Sequence, residues 1–115
     1  MAADRPLAVV FWSRFCAPAV AVLPAVQATA HRLAARGVSL VLVADESPSA
    51  EAREFLRQKG VEIPVFFDSR REAAVAFRNW GTPAHYLVDA RGRIRFEDVG
   101  RVEDLVLQAA VVGGP

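Results

Sequence analysis

The 115-residue sequence contains one cysteine, Cys16, and two histidines, His31 and His85. A single cysteine excludes an intramolecular disulfide and leaves the redox compartment open. Cys16, His31 and His85 are too few and too scattered for a zinc site, so no metal and no cofactor is expected. Lysine is nearly absent: Lys59 is the only one, and arginine supplies the rest of the 14 basic residues, set against 13 acidic ones. The formal net charge of +1 offers no attraction to nucleic acid or an anionic membrane. No apolar run reaches membrane-spanning length. The stretch Met1-Ala2-Ala3-Asp4-Arg5-Pro6 lacks the charged-then-apolar layout of a signal peptide. As given, the chain therefore reads as soluble and cytoplasmic, or as periplasmic or otherwise extracytoplasmic if a signal or anchor was trimmed. What is abundant is apolar residues, 53% of the chain, enough for one domain over residues 1–115 with a single core.

The pattern of apolar residues predicts α/β architecture. Leu7–Trp12 is a continuous apolar run, the mark of a strand buried on both faces. From Pro18 to Arg36 apolar residues recur at helical spacing (Val22, Val26, Ala30, Leu33, Ala34), with Pro24 expected to kink the helix and Gly37 to end it. Ser39–Ala44 reads as a second buried strand. Ser47 is the expected N-cap, and Pro48 the first residue, of a helix reaching about Lys59, with Ala52, Phe55 and Leu56 inward. Pro64–Phe67 is a short strand, and Ser69–Glu72 has the form of a capping box opening a third helix with Ala73, Ala74 and Phe77 inward. Gly81-Thr82-Pro83 breaks the chain. His85–Val88, the turn Asp89–Gly92 and Arg93–Phe96 form a hairpin, and Val102–Val112 a final helix carrying Leu105, Val106, Ala109 and Val112. The order β-α-β-α-β-α-β-β-α predicts parallel strands with an antiparallel edge.

The chemistry is concentrated where the first strand meets the first helix. Cys16 follows Trp12 after a three-residue link and stands at the helix start, where free N–H groups and the positive dipole end favour thiolate over thiol.

The run Phe11-Trp12-Ser13-Arg14-Phe15-Cys16-Ala17-Pro18-Ala19, the proline at 24, Gly81-Thr82-Pro83 and the Asp89-Ala90-Arg91-Gly92 turn together resemble thioredoxin-fold proteins. The similarity is greatest to the TlpA/ResA-like thiol–disulfide oxidoreductases, which also carry the extra helix at Ser49–Lys59. The resemblance covers Arg5 to about Val112 and implies a thioredoxin-like fold, a central mixed sheet flanked by helices. It implies that Cys16 is the attacking thiol and that Pro83 lies, as a cis-proline, on the loop facing it. It further implies that Trp12, Phe15, Pro18, Thr82 and Pro83 contact the substrate.

Three positions depart from the family pattern, one of them Val20, where a basic residue is common just after the motif. Ala19 stands where the family has its resolving cysteine, and Val22 where many members keep a buried glutamate. An engineered trapping variant would change only the cysteine, so loss of the acid as well favours natural divergence; both origins of Ala19 remain open. Without a second thiol, Cys16 can attack a protein or small-molecule disulfide, but the adduct waits for an outside thiol such as glutathione. A redox-inactive binding module, with Phe15, Val20, Val22 and Trp80 as an apolar face, is the competing expectation. Trp80 either widens the apolar patch or covers the end of the third helix. His85 shares a strand face with Pro83 and is either near the thiol or a satisfied core residue; His31 is expected at the surface. Ser13 stands three residues before Cys16, as a Ser/Thr does in peroxiredoxins, but the upstream proline they need would fall at Val9, so a one-cysteine peroxidase is not expected. A homodimer through a Cys16–Cys16 disulfide stays open.

Overall fold

A computed structural model describes residues 5–112. Ten elements follow in order: β1 (Leu7–Trp12), α1 (Ala17–Ala21), α2 (Leu23–Ala34), β2 (Ser39–Ala44), α3 (Ala50–Gln58), β3 (Val65–Phe67), α4 (Glu72–Ala76), β4 (Ala84–Val88), β5 (Ile94–Asp98) and α5 (Asp104–Val112). The five strands form one sheet in the order β3-β2-β1-β4-β5. β1 pairs in parallel with β2, as does β2 with β3, while β4 runs antiparallel to both β1 and β5. β1 is thus central, which explains why its sequence is apolar on both faces.

Alternate residues of β1 serve two cores. Ala8, Val10 and Trp12 face one side, where they pack with Leu23, Val26 and Leu33 of α2, Leu56 of α3, and Leu105, Val106 and Ala109 of α5. Val9 and Phe11 face the other, with Val43, Tyr86 and Ala74. There Phe11, Phe77 and Tyr86 meet edge to face, with ring centroids 5.0–5.4 Å apart. The first core holds the large, fully buried Leu33, Leu42, Leu87 and Leu105. Each such side chain contributes about 1.5–3 kcal/mol relative to an exposed one.

Several local expectations need correction. The long first helix is two helices, broken at Val22, two residues before Pro24. Pro24 has no N–H to give the Val20 carbonyl, and the Val22 N–H donates to that oxygen instead. Val26 and Leu33 are buried as predicted and Ala34 is exposed; Thr29 fills an inward place that its hydroxyl concealed. Gly37 ends α2 at φ 77°. The N-cap of α3 is Ser49, not Ser47: its Oγ accepts from the Ala52 N–H at 3.0 Å. The capping box at Ser69–Glu72 does not form. α4 is capped by Asp68, whose two carboxylate oxygens accept from the Ala73 and Ala74 N–H groups, both at 3.0 Å. Val112 has its side chain outside the described residues.

Candidate active site

Cys16 is the N-cap of α1, with extended backbone (φ −110°, ψ 107°). Its thiol is half-buried and donates to the Thr82 carbonyl oxygen at 3.3 Å. That contact joins the β1–α1 corner to the loop before β4, 66 residues downstream. The Thr82–Pro83 peptide bond is cis. The helix behind the thiol is five residues long, a shorter array of peptide dipoles than a continuous helix would supply.

The corner is held from three sides. Ser13 Oγ accepts from the Phe15 N–H and Ser13 O from the Cys16 N–H, both at 3.1 Å. Ser13 is therefore committed to its own turn. Arg14 Nε donates to both carboxylate oxygens of Glu46, each at 3.0 Å, in a largely buried pair. The Arg14 guanidinium also lies 4.3 Å from the centre of the Phe15 ring. The sequence offered no sign of this brace except through register. Trp12 pairs with Ala44 across the parallel β1–β2 ladder, so Arg14 and Glu46, each two residues further on, become neighbours.

The facing loop is fixed by a second pair that spacing did not reveal. Tyr86 Oη donates to Asn79 Oδ1 at 2.9 Å, and Asn79 Nδ2 donates to the Gly81 carbonyl at 2.8 Å. Burial, aided by Glu97, pushes the Tyr86 hydroxyl above its ordinary range, so it stays a donor.

The other candidate residues divide by exposure. Phe15 is 74% exposed and Trp80 93% exposed, so Trp80 does not cover α4. Pro18 is exposed, and Thr82 and Pro83 are half-buried. Trp12 is fully buried against Phe55, with ring centroids 6.1 Å apart, and supports the corner from behind. Val20 and Val22 pack against the first core, which leaves Phe15 and Trp80 as the exposed apolar rim. Ala19, in the place of a resolving thiol, is fully buried in the same core.

His85 lies opposite Val10 on β4 and is only 3% exposed, stacked near Phe96. Its hydrogen-bond partners do not include Cys16, and neither its Nε2 nor Trp12 Nε1 has a partner among the described residues. Burial holds His85 below its ordinary pKa, with the carboxylates of Asp98, Asp104 and Glu103 opposing. His31 is exposed. Among the described residues no three His, Cys, Asp or Glu side chains gather into a metal-binding group, and no helix is long and apolar enough to cross a membrane.

The AhpC/TSA family profile matches residues 2–97. The chain belongs to the AhpC/TSA family. Among solved structures, this AhpC/TSA protein is similar to one from Chlorobium tepidum described as the thiol:disulfide interchange protein DsbE. The TM-score is 0.84 at 24% identity, covering 97% of this chain and 82% of that one. It is also similar to StoA from Bacillus subtilis (TM-score 0.81, 22% identity, 90% and 81% covered). A third similar structure is the thioredoxin domain of a thiol-disulfide oxidoreductase from Bacteroides vulgatus (TM-score 0.80, 17% identity, 96% and 81% covered). These likenesses establish the thioredoxin-like fold. No curated protein sequence matches the chain.

Proposed function

We propose that this protein is a thiol–disulfide oxidoreductase that works through one thiol. The observation that carries the reading is the placement of Cys16: at a helix start, half-buried, its sulfur 3.3 Å from Thr82 O beside the proline loop. Family membership and the oxidoreductases among the structural neighbours support the same class of chemistry.

The reaction begins when Cys16 gives up the proton that its thiol directs at the Thr82 carbonyl. Its sulfur attacks one sulfur of a partner disulfide, the S–S bond of the partner breaks, and the departing sulfur takes up a proton as a thiol. The Cys16–partner mixed disulfide is then attacked by an external thiolate, which forms a new disulfide with the partner sulfur and releases Cys16 as thiolate. No second thiol on this chain can take that step, because residue 19 is alanine. Phe15, Pro18, Thr82 and Pro83 form the surface against which the partner lies, with Trp12 behind them.

The test is turnover of a protein disulfide in excess glutathione, with trapping of the adduct when glutathione is omitted. The expected result is a mixed disulfide at Cys16, detected by mass, that glutathione clears, and loss of both adduct and turnover in Cys16→Ser. No adduct with the unaltered protein would overturn the reading in favour of a binding module.

A further inference from the structure

The two edges of the sheet are built differently. β5 forms one of them and is charged along its length. Arg95, Glu97 and Asp98 fall within it, Arg93 precedes it, and its ladder with β4 slips out of register between Leu87 and Val88. Charges and a bulge are the devices that keep an edge strand from taking on another strand. β3 forms the other edge, with β2 its one neighbour among the described residues. Its sequence, Val65-Phe66-Phe67, carries no charge, and Phe66 is 52% exposed.

The bonds at the two ends of β3 show which of its backbone groups are free. The Leu42 N–H donates to Pro64 O and the Asp68 N–H donates to Ala44 O, both at 2.9 Å. Backbone polar groups alternate in direction along a strand, so those of Pro64, Phe66 and Asp68 turn toward β2. The N–H and C=O of Val65 and of Phe67 turn the other way, and no strand among the described residues pairs with them. Donors and acceptors at that spacing are a template for one more strand. The side chains divide in the same alternation: Val65 and Phe67 pack against the first core, whereas Phe66 stands on the other face, beside an apolar groove that it lines with Val41 and Phe77.

We infer that a second copy of this chain docks on β3, its own β3 running antiparallel, so that two sheets become one. In a pair centred on Phe66, Val65 of one copy lies opposite Phe67 of the other, and each such pair exchanges both of its N–H···O bonds. The two Phe66 side chains then meet directly opposed on one face. The charges beside the strand obey the same symmetry. Glu62 and Arg70, both exposed, stand at equal distances in sequence on either side of Phe66. Asp68, between them, is buried and committed to the start of α4. A two-fold axis at Phe66 brings Glu62 of each copy toward Arg70 of the other, whereas a parallel pair would set like charges together. The docking is independent of the chemistry at Cys16.

The experiment is sedimentation velocity on the whole chain, kept in dithiothreitol so that no Cys16–Cys16 disulfide forms, from micromolar to millimolar concentration. The mass is expected to double toward the upper end. Val65→Pro removes an outward N–H and no bond to β2, and should give a folded monomer, with folding read from circular dichroism. Glu62→Arg and Arg70→Glu should each weaken association about tenfold. An equimolar mixture of those two variants should recover it, because each contact across the mixed pair again joins opposite charges. The charge variants leave the backbone of β3 untouched, so they decide the question even if Val65→Pro does not fold. Amide exchange followed by NMR should slow at Val65 and Phe67 as concentration rises and stay constant at Phe66. A reduced protein that stays monomeric at millimolar concentration, undiminished association of folded Val65→Pro, or a mixture that associates no better than either charge variant alone would each overturn the inference.

Discussion

At the residue scale, chemical character is decided by the backbone around each side chain. Cys16 was visible in the sequence because it is unique and stands at a strand-to-helix junction. Its hydrogen-bond acceptor was not, because a carbonyl 66 residues away leaves no trace in side-chain types. Trp12 and Phe15, alike in composition, separate completely: β1 directs Trp12 into the first core, whereas Phe15 lies in the turn beyond it. Restoring a second thiol tests whether the corner keeps the geometry of a dithiol site. In Ala19→Cys, mild oxidation is expected to leave no free thiol, read by thiol titration, and dithiothreitol should recover both. His85 makes a separate prediction. Its folded pKa lies below the ordinary 6.5, so the unfolded chain binds the proton more readily. Stability from His85 is complete above that value and is lost as pH falls below it toward the folded pKa. Melting temperature should therefore fall from about pH 7 to about pH 5, and His85→Leu should flatten that part of the curve.

At the scale of elements, the pattern of apolar residues located the five strands and α3, α4 and α5 but ran α1 and α2 together as one helix, and the caps went to residues that spacing alone did not single out. Ser47 and Ser49 are both followed by residues suited to a helix start; only Ser49 has its oxygen aligned with the N–H three residues on. Ser69 and Glu72 look like a capping box, yet Asp68, buried at the end of β3, reaches two N–H groups at once. Asp68→Ala is expected to destabilise the protein by about 1–2 kcal/mol, with Asp68→Asn between it and the parent, measured by urea denaturation. Arg14→Ala should cost about 1–3 kcal/mol, because it strands the largely buried Glu46 carboxylate. Arg14→Ala combined with Glu46→Gln should recover part of that loss, since no charge is then left unpaired.

At the scale of the molecule, the two faces of the sheet are covered unequally. Among the described residues, α2, α3 and α5 bury one face, whereas on the other only the five-residue α4 packs, beside an apolar groove of about 460 Å³ lined by Leu7, Val9, Val41, Phe66, Phe77 and Val88, among others. The sequence disclosed that β1 is buried twice over but not that its second covering is thin, because helix length depends on where the chain breaks after Phe77. The native protein is expected to raise the fluorescence of anilinonaphthalene sulfonate, and Phe66→Asp, on the exposed β3 edge, to lower that signal without shifting the melting temperature. The strand order also sets a sequence of events during synthesis. Cys16 emerges from the ribosome long before Thr82, and at about 5–20 residues per second the thiol waits roughly 3–13 s for its carbonyl partner. For that interval the nascent chain carries a bare sulfhydryl with no loop across it, open to any oxidant the cell's surroundings supply.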